Sequence, residues 1–354
     1  MKNKIAVIIP VFNSEMYLED CLRSVTDQTL KEIEVFCVDD GSTDNTSSIV
    51  LEFSKKDERI KHILTEHYGP GHARNIGIEA SDSEFIVFMD SDDIYPNEAT
   101  LEKLYNSALK NNAKICGGSW SELVDGKIVT RFSDTGYMFQ NDGIVNYRDY
   151  QFDHGYHRFI YSSEMIKKNN IVFPDDLRYQ DPPFFVNAMI CAKEFYALQE
   201  PTYCRRVKKE DPFDSPRKIF DLFLGLRSVF EIAEENDLKD LRARTAKRIG
   251  EHIPVITRRV MLSEFEGIAD QFLNLCFDVN EKTGYEFPSF LVMLVSDHLA
   301  EKRTFRDYVQ LWKKGGCGLA PDIKTIYVVY DVESDKGVRW YIRLFFNKLI
   351  RLIR

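Results

Sequence analysis

The sequence has no CxxC pair, no apolar stretch long enough to span a bilayer, and no excess of basic charge. Its seven cysteines stand at 21, 37, 116, 191, 204, 276 and 317 with no short repeated spacing, so neither a zinc site nor a disulfide framework is indicated. Buried thiols in a reducing compartment are expected instead. A net charge of -9 removes the global positive field that bulk nucleic-acid binding needs, and no nucleic-acid partner is expected. The first apolar run, Ile5 to Phe12, contains Pro10, is too short for a membrane span and lacks the small-residue cleavage site of a secretory signal. A cytoplasmic active site is the expectation. Two nucleotide signatures are missing as well: there is no GxxxxGK[ST], and no GxGxxG follows the first apolar run.

What is present suits a substantial folded core: 354 residues, 44% of them hydrophobic. Residues 5–12, 34–38, 60–65 and 84–89 read as strands rich in Ile, Val and Phe. Between them Tyr17, Leu18, Cys21, Leu22 and Val25, and then Ile49, Val50 and Phe53, recur at helical spacing. Alternating strands and helices predict an α/β fold with a mostly parallel central sheet and flanking helices. A further strand is predicted over 113–120, followed by a hairpin around Asp125-Gly126. A catalytic region over 1–215 is expected, with a nucleotide half at 1–120 and an acceptor half at 121–215. It is followed by a helical region at 216–314 and a terminal region at 315–354.

Polar clusters fall where the strands should end, which is where open α/β sheets place their ligand crevice. Asp39-Asp40-Gly41-Ser42-Thr43-Asp44 offers carboxylates to a base or ribose, although Ser42, Thr43 and Asp44 are equally ordinary helix-capping residues. Asp90-Ser91-Asp92-Asp93 gathers three carboxylates that repel one another unless a cation or a helix N-terminus compensates. With no histidine or cysteine in the set, a hard ion such as Mg2+ or Mn2+ fits better than zinc, a solvated acidic turn being the alternative. Arg74, in Gly69-Pro70-Gly71-His72-Ala73-Arg74-Asn75, is placed either to meet a diphosphate or to lie on the surface.

Taken together, Pro10-Val11-Phe12-Asn13, VDDGSTD ending at Asp44, GPGHARNIG ending at Gly77 and Asp90-Ser91-Asp92-Asp93 resemble the family 2 inverting glycosyltransferases of the GT-A fold. The match is densest over residues 4–120, and 150–205 resembles members that build bacterial surface polysaccharides. The resemblance implies that Pro10, Val11 and Phe12 line a nucleotide pocket, Asp40 recognises the base and Arg74 holds the diphosphate. It makes Asp92 the principal metal carboxylate, assisted by Asp90 or Asp93, and implies a UDP-sugar donor. Asp181, in Tyr179-Gln180-Asp181-Pro182, corresponds to the general base, with Gln180 departing from the acidic residue common there. Asp181 before Pro182 also suits a helix N-terminus. Tyr203 and Arg205 resemble the pattern that closes over donor phosphates, while His154, His157 and Arg158 are acceptor-side candidates. A saccharide or lipid-linked saccharide acceptor follows from the same resemblance.

Residues 339–354 carry Arg339, Arg343, Lys348, Arg351 and Arg354 beside a broad apolar face and no acid. This basic amphipathic helix is suited to the anionic inner face of a membrane, or to docking on the protein or on a homodimer partner. Two other function classes share the gross features: a sugar nucleotidyltransferase, and a noncatalytic saccharide-binding scaffold. Against the first, the chain leaves its opening strand through Pro10-Val11-Phe12-Asn13 with no glycine- and arginine-rich loop. Against the second, the acidic set and Asp181 are complete.

Overall fold

The computed structural model describes residues 2–130, 136–174, 179–208, 216–260 and 266–285. Among the described residues nine strands form one sheet, in the order β3 (Ile60–Leu64), β2 (Ile33–Asp39), β1 (Ile5–Val11), β4 (Phe85–Phe88), β8 (Phe159–Ser162), β5 (Ile115–Val124), β9 (Glu194–Arg206) and β7 (Gly143–Asn146), with β6 (Lys127–Val129) paired to β5. The first part is parallel and alternates with helices: β1 Ile5–Val11, α1 Leu18–Thr26, β2 Ile33–Asp39, α2 Thr46–Lys56, β3 Ile60–Leu64, α3 Pro70–Ala80 and β4 Phe85–Phe88. Every residue of β1, β2 and β4 is buried, as strands covered on both faces must be, which is why β1 and β4 read as unbroken apolar runs and β2 does so from Val35 to Val38, its Glu34 being met by Ser81, Ser83 and Lys61. Leu18, Cys21, Leu22 and Val25 of α1 join that core, on the face their spacing predicts.

Beyond β4 the sheet becomes mixed. α4 Thr100–Lys110 leads to β5 Ile115–Val124, which turns back through Asp125 and Gly126 into β6 Lys127–Val129. Both turn residues have positive φ, 49° and 75°, the geometry of a two-residue hairpin whose twist matches its strands. β7 Gly143–Asn146, α5 Tyr147–Tyr150 and a 3-10 turn at Tyr156–Arg158 precede β8 Phe159–Ser162, which inserts antiparallel between β4 and β5. α6 Ser163–Lys168 and α7 Asp181–Ala192 lead to β9 Glu194–Arg206, parallel to β5. β5 runs through residue 120, the boundary expected between a nucleotide half and an acceptor half, so no strand break falls there.

Two compact units are present, Met1–Pro212 with Glu231–Leu241, and Phe213–Phe230 with Arg242–Arg354. The second consists, among the described residues, of parts of α8 Pro216–Glu235 and α9 Lys239–Val260 and of α10 Glu266–Thr283. Its interior includes Leu222, Phe223, Leu226, Ile249 and Leu275. No helix among the described residues is long and apolar enough to cross a membrane. The amphipathic pattern at 339–354 lies outside the described residues.

The strand order reverses between the parallel neighbours β1 and β4, and their carboxyl ends frame the site. Pro10 lies past the last β1–β4 pair, Ile8 with Phe88, where a missing N–H interrupts no β1–β4 pairing. Helix α3 lies close on β1: a Cβ added to Gly77 would stand 2.4 Å from Ile8 Cγ2. Gly77→Ala is therefore expected to destabilise the protein by about 1–3 kcal/mol through overpacking. Denaturant unfolding checks this, and a change below about 0.5 kcal/mol would mean that α3 shifts freely.

Candidate active site

A cleft of about 260 Å³ opens at the carboxyl ends of β1, β2 and β4, lined by Pro10, Val11, Phe12, Asp40, His67, Pro70, Arg74, Asp90, Ser91 and Asp92. Three loops far apart in sequence thus converge, as the polar clusters predict. Asp39, fully buried, receives the amide of Ser42 at 2.9 Å and the Ser47 hydroxyl. Burial pushes its carboxyl up, but these hydrogen bonds prevail and hold it below the usual range. Asp44 accepts from the amides of Thr46 at 2.9 Å and Glu15 at 3.2 Å in the turn before α2, while Asp40 alone of this loop's acids lines the cleft.

Asp40 binds the following loop. Its two oxygens each accept a backbone amide at 2.9 Å, from Tyr68 and from Gly69, and His67 Nδ1 lies 2.9 Å from Oδ2. This fixes His67 stacked on Phe12, with ring centroids 4.2 Å apart and planes 21° apart. Phe12 remains 43% exposed, leaving an aromatic wall on the cleft that a planar base can meet.

The acidic loop after β4 is compensated by the protein itself. One oxygen from each of Asp90, Asp92 and Asp93 lies within 4.8 Å of the others. Asp90 meets Arg74 Nη2 at 2.7 Å and the Tyr156 hydroxyl at 3.3 Å. Asp92 meets the Lys208 ammonium at 2.6 Å. Asp93 is buried and accepts the Tyr203 hydroxyl at 2.6 Å and the Arg206 amide at 2.7 Å. Burial, then the charges of Asp92 and Asp90, push the Asp93 carboxyl well above its ordinary range.

Arg74 is buried yet underused. Only Nη2 has a partner; Nε and Nη1 are shielded from solvent without a hydrogen-bond acceptor. Its guanidinium lies 5.3 Å from each of the Tyr156 and Phe173 rings. Burial alone would lower its basicity, but Tyr156 and Asp90 reverse this and the group stays charged.

Helix α3 also fixes the approach to Asp181. Asn75 exchanges two hydrogen bonds with the backbone of Phe173, at 2.8 and 2.9 Å. Asp181 begins α7, with Gln180 at the N-cap making no side-chain capping bond. Burial raises the Asp181 carboxyl to about 6; Arg74 draws it down, and Asp90 and Asp153 add to the rise. Asp153, buried and 3.0 Å from His154 Nδ1, is the neighbouring charge that no sequence signal separated from its surroundings.

The aromatic stretch forms a continuous wall. Ring centroids run from Tyr203 to His157 at 4.0 Å, to Trp120 at 4.9 Å, to Tyr137 at 4.9 Å and to His154 at 4.5 Å. Both His157 nitrogens are buried without a hydrogen-bond partner. Burial first, then Arg74, Arg158 and Arg205, lower its pKa well below the ordinary value, so the ring is neutral. Arg158 is placed differently from the acceptor-facing position expected of it: it is fully buried. Its guanidinium binds the carbonyls of Gly118, Tyr137 and Gly136 and the Tyr150 hydroxyl. Arg205 is exposed on β9. The neighbouring Arg206 and Lys208, rather than Arg205, grip the acidic loop, a role that nothing in the spacing of the local sequence signals.

The sequence profile described as Glycosyl transferase family 2 matches residues 6–169. An uncharacterized glycosyltransferase of Haemophilus influenzae is 30% identical over 211 residues, covering 57% of this chain and 78% of the relative. The GalNAc(5)-diNAcBac-PP-undecaprenol beta-1,3-glucosyltransferase of Campylobacter jejuni is 26% identical over 249 residues, covering 69% of this chain and 78% of the relative. The chain spans from 17% to 78% of the length of its curated relatives. In fold, it is similar to the crystal structure of S. aureus TarS in complex with UDP-GlcNAc. The TM-score is 0.64 at 23% identity, over 84% of this chain and 87% of the other.

Proposed function

Since this chain belongs to glycosyl transferase family 2, we propose that its cleft binds a UDP-sugar and transfers the sugar, with inversion, to a hydroxyl of a saccharide or lipid-linked saccharide acceptor in surface-polysaccharide synthesis. The observation that carries the donor reading is Arg74: a buried guanidinium with two unpartnered nitrogens on a cleft wall is suited to a diphosphate. Phe12 and His67 give the base a stacking surface, with Asp40 beside them.

Asp92 and Asp90, part-exposed on the cleft, would hold Mn2+ or Mg2+, while Asp93, buried beside them, has each oxygen already accepting one hydrogen bond. Such an ion would neutralise charge on the nucleoside diphosphate. Asp181, ionised above about pH 6, takes the proton of the acceptor hydroxyl while that oxygen bonds to the anomeric carbon. The bond from that carbon to the diphosphate breaks on the opposite face. The half-exposed wall of Trp120, Tyr137 and His154 is suited to the apolar face of an acceptor sugar ring. The basic amphipathic pattern at 339–354 supports work at the inner face of a membrane that presents a lipid-linked acceptor.

A thermal-shift titration with UDP, UDP-GlcNAc and GDP, each with and without Mn2+, tests the donor reading. A Mn2+-dependent rise in Tm with a uridine nucleotide, lost in Asp92→Ala, is expected. The absence of a shift with both uridine nucleotides would overturn it.

A further inference from the structure

The end of β9 lies across the acidic loop. Tyr203 and the Arg206 amide serve Asp93, while the Arg206 guanidinium binds the Asp92 carbonyl at 2.8 Å and Asp20 at 3.0 Å. Two residues further on, Lys208 places its ammonium 2.6 Å from Asp92 Oδ2 and 4.7 Å from the Tyr17 ring. The two side chains of this ion pair are 26% and 29% exposed, so dissolved ions reach it. Asp90 has its own cation in Arg74 and Asp93 its own donors; Asp92 is neutralised by Lys208. An ammonium and a divalent ion seeking the same carboxylate oxygen repel one another at contact range, and the singly charged partner is the one that can swing away.

We propose that Lys208 is the resident counter-cation of the Asp92 position: it occupies the carboxylate in the donor-free enzyme, is displaced by the divalent ion, and turns to the diphosphate that arrives with that ion. The inference rests on the reading of Asp92 as a metal carboxylate in a nucleotide-sugar site. No covalent bond changes; one ion pair is exchanged for two. Metal and nucleotide therefore bind synergistically, because the ion alone breaks the Lys208–Asp92 pair, whereas the diphosphate supplies an anion to the displaced ammonium.

Mn2+ binding to the full chain, followed by electron paramagnetic resonance of the free ion without nucleotide, tests this alongside calorimetry of UDP at saturating Mn2+. Lys208→Met is expected to bind Mn2+ alone about tenfold more tightly and UDP with Mn2+ about tenfold more weakly. Lys208→Arg should return both towards wild type. Opposite signs are the signature, since general disruption of the loop would weaken both. Unchanged or weaker Mn2+ binding in Lys208→Met, with wild-type binding intact, overturns the role of Lys208 and leaves the metal site standing. If neither protein binds Mn2+ while UDP binds both, the metal reading itself falls and the exchange with it. Should Lys208→Met not fold, Lys208→Gln takes its place.

Discussion

Replacing Asp181 with asparagine is expected to lower kcat for sugar transfer by about 10³-fold while leaving UDP-sugar affinity within about threefold. Asparagine keeps the size and the helix-start chemistry of aspartate at the head of α7, so the fold should survive and the loss should fall on proton removal alone. In the wild type, transfer should rise with pH through about 6 and then level, because burial raises the Asp181 carboxyl to about 6 despite Arg74 nearby. Stability should move the other way. A carboxyl whose folded pKa exceeds its unfolded one destabilises the fold as pH rises between the two values, so Asp181→Asn should melt higher than wild type at neutral pH. It should lose that advantage below about pH 4. Steady-state kinetics and melting curves across pH read both effects. A kcat within tenfold of wild type would remove Asp181 from the chemistry.

The second large effect is expected at Arg74. Arg74→Met retains the apolar stem beside Tyr156 and Phe173 but removes the guanidinium, and UDP affinity should fall about 100-fold, in line with loss of charge-assisted bonds in a desolvated position. Free-protein stability should change far less. The variant loses the Asp90 ion pair, yet it also removes two buried nitrogens that lack acceptors in the free protein. Arg74→Lys should not restore binding, because a single ammonium cannot both hold Asp90 and supply the directions of Nε and Nη1. Calorimetry with UDP decides it: a loss smaller than threefold would detach Arg74 from the diphosphate.

The donor side was legible because its physics is local. β1, β2 and β4 are covered on both faces, β1, β4 and the Val35–Val38 stretch of β2 read as apolar runs, and the polar clusters after them mark strand ends. The later part of the sheet was less so. β9 carries Glu200-Pro201 in its middle and shifts register on β5 on either side of Ser119, so neither a clean alternation nor an apolar run announces it. β7 is four residues long, half of them exposed. Asp153, Arg206 and Lys208 take their importance from partners on other strands or loops, a property that spacing along the chain does not encode. Arg158 shows the converse: a charge in an acceptor-like stretch proves to be an internal tie between backbone carbonyls.

The placement of Asp93 bears on how the chain comes off the ribosome. The donors this buried carboxylate meets, the Tyr203 hydroxyl and the Arg206 amide, lie more than a hundred residues downstream, and β8, which joins the two parts of the sheet, is also made late. A nascent chain can lay down β1 to β4 with their helices as a local unit, but its acidic loop stays electrostatically unfinished until β9 emerges. Completion of the cleft is thereby a report that the later strands have been synthesised and have found their places in the sheet.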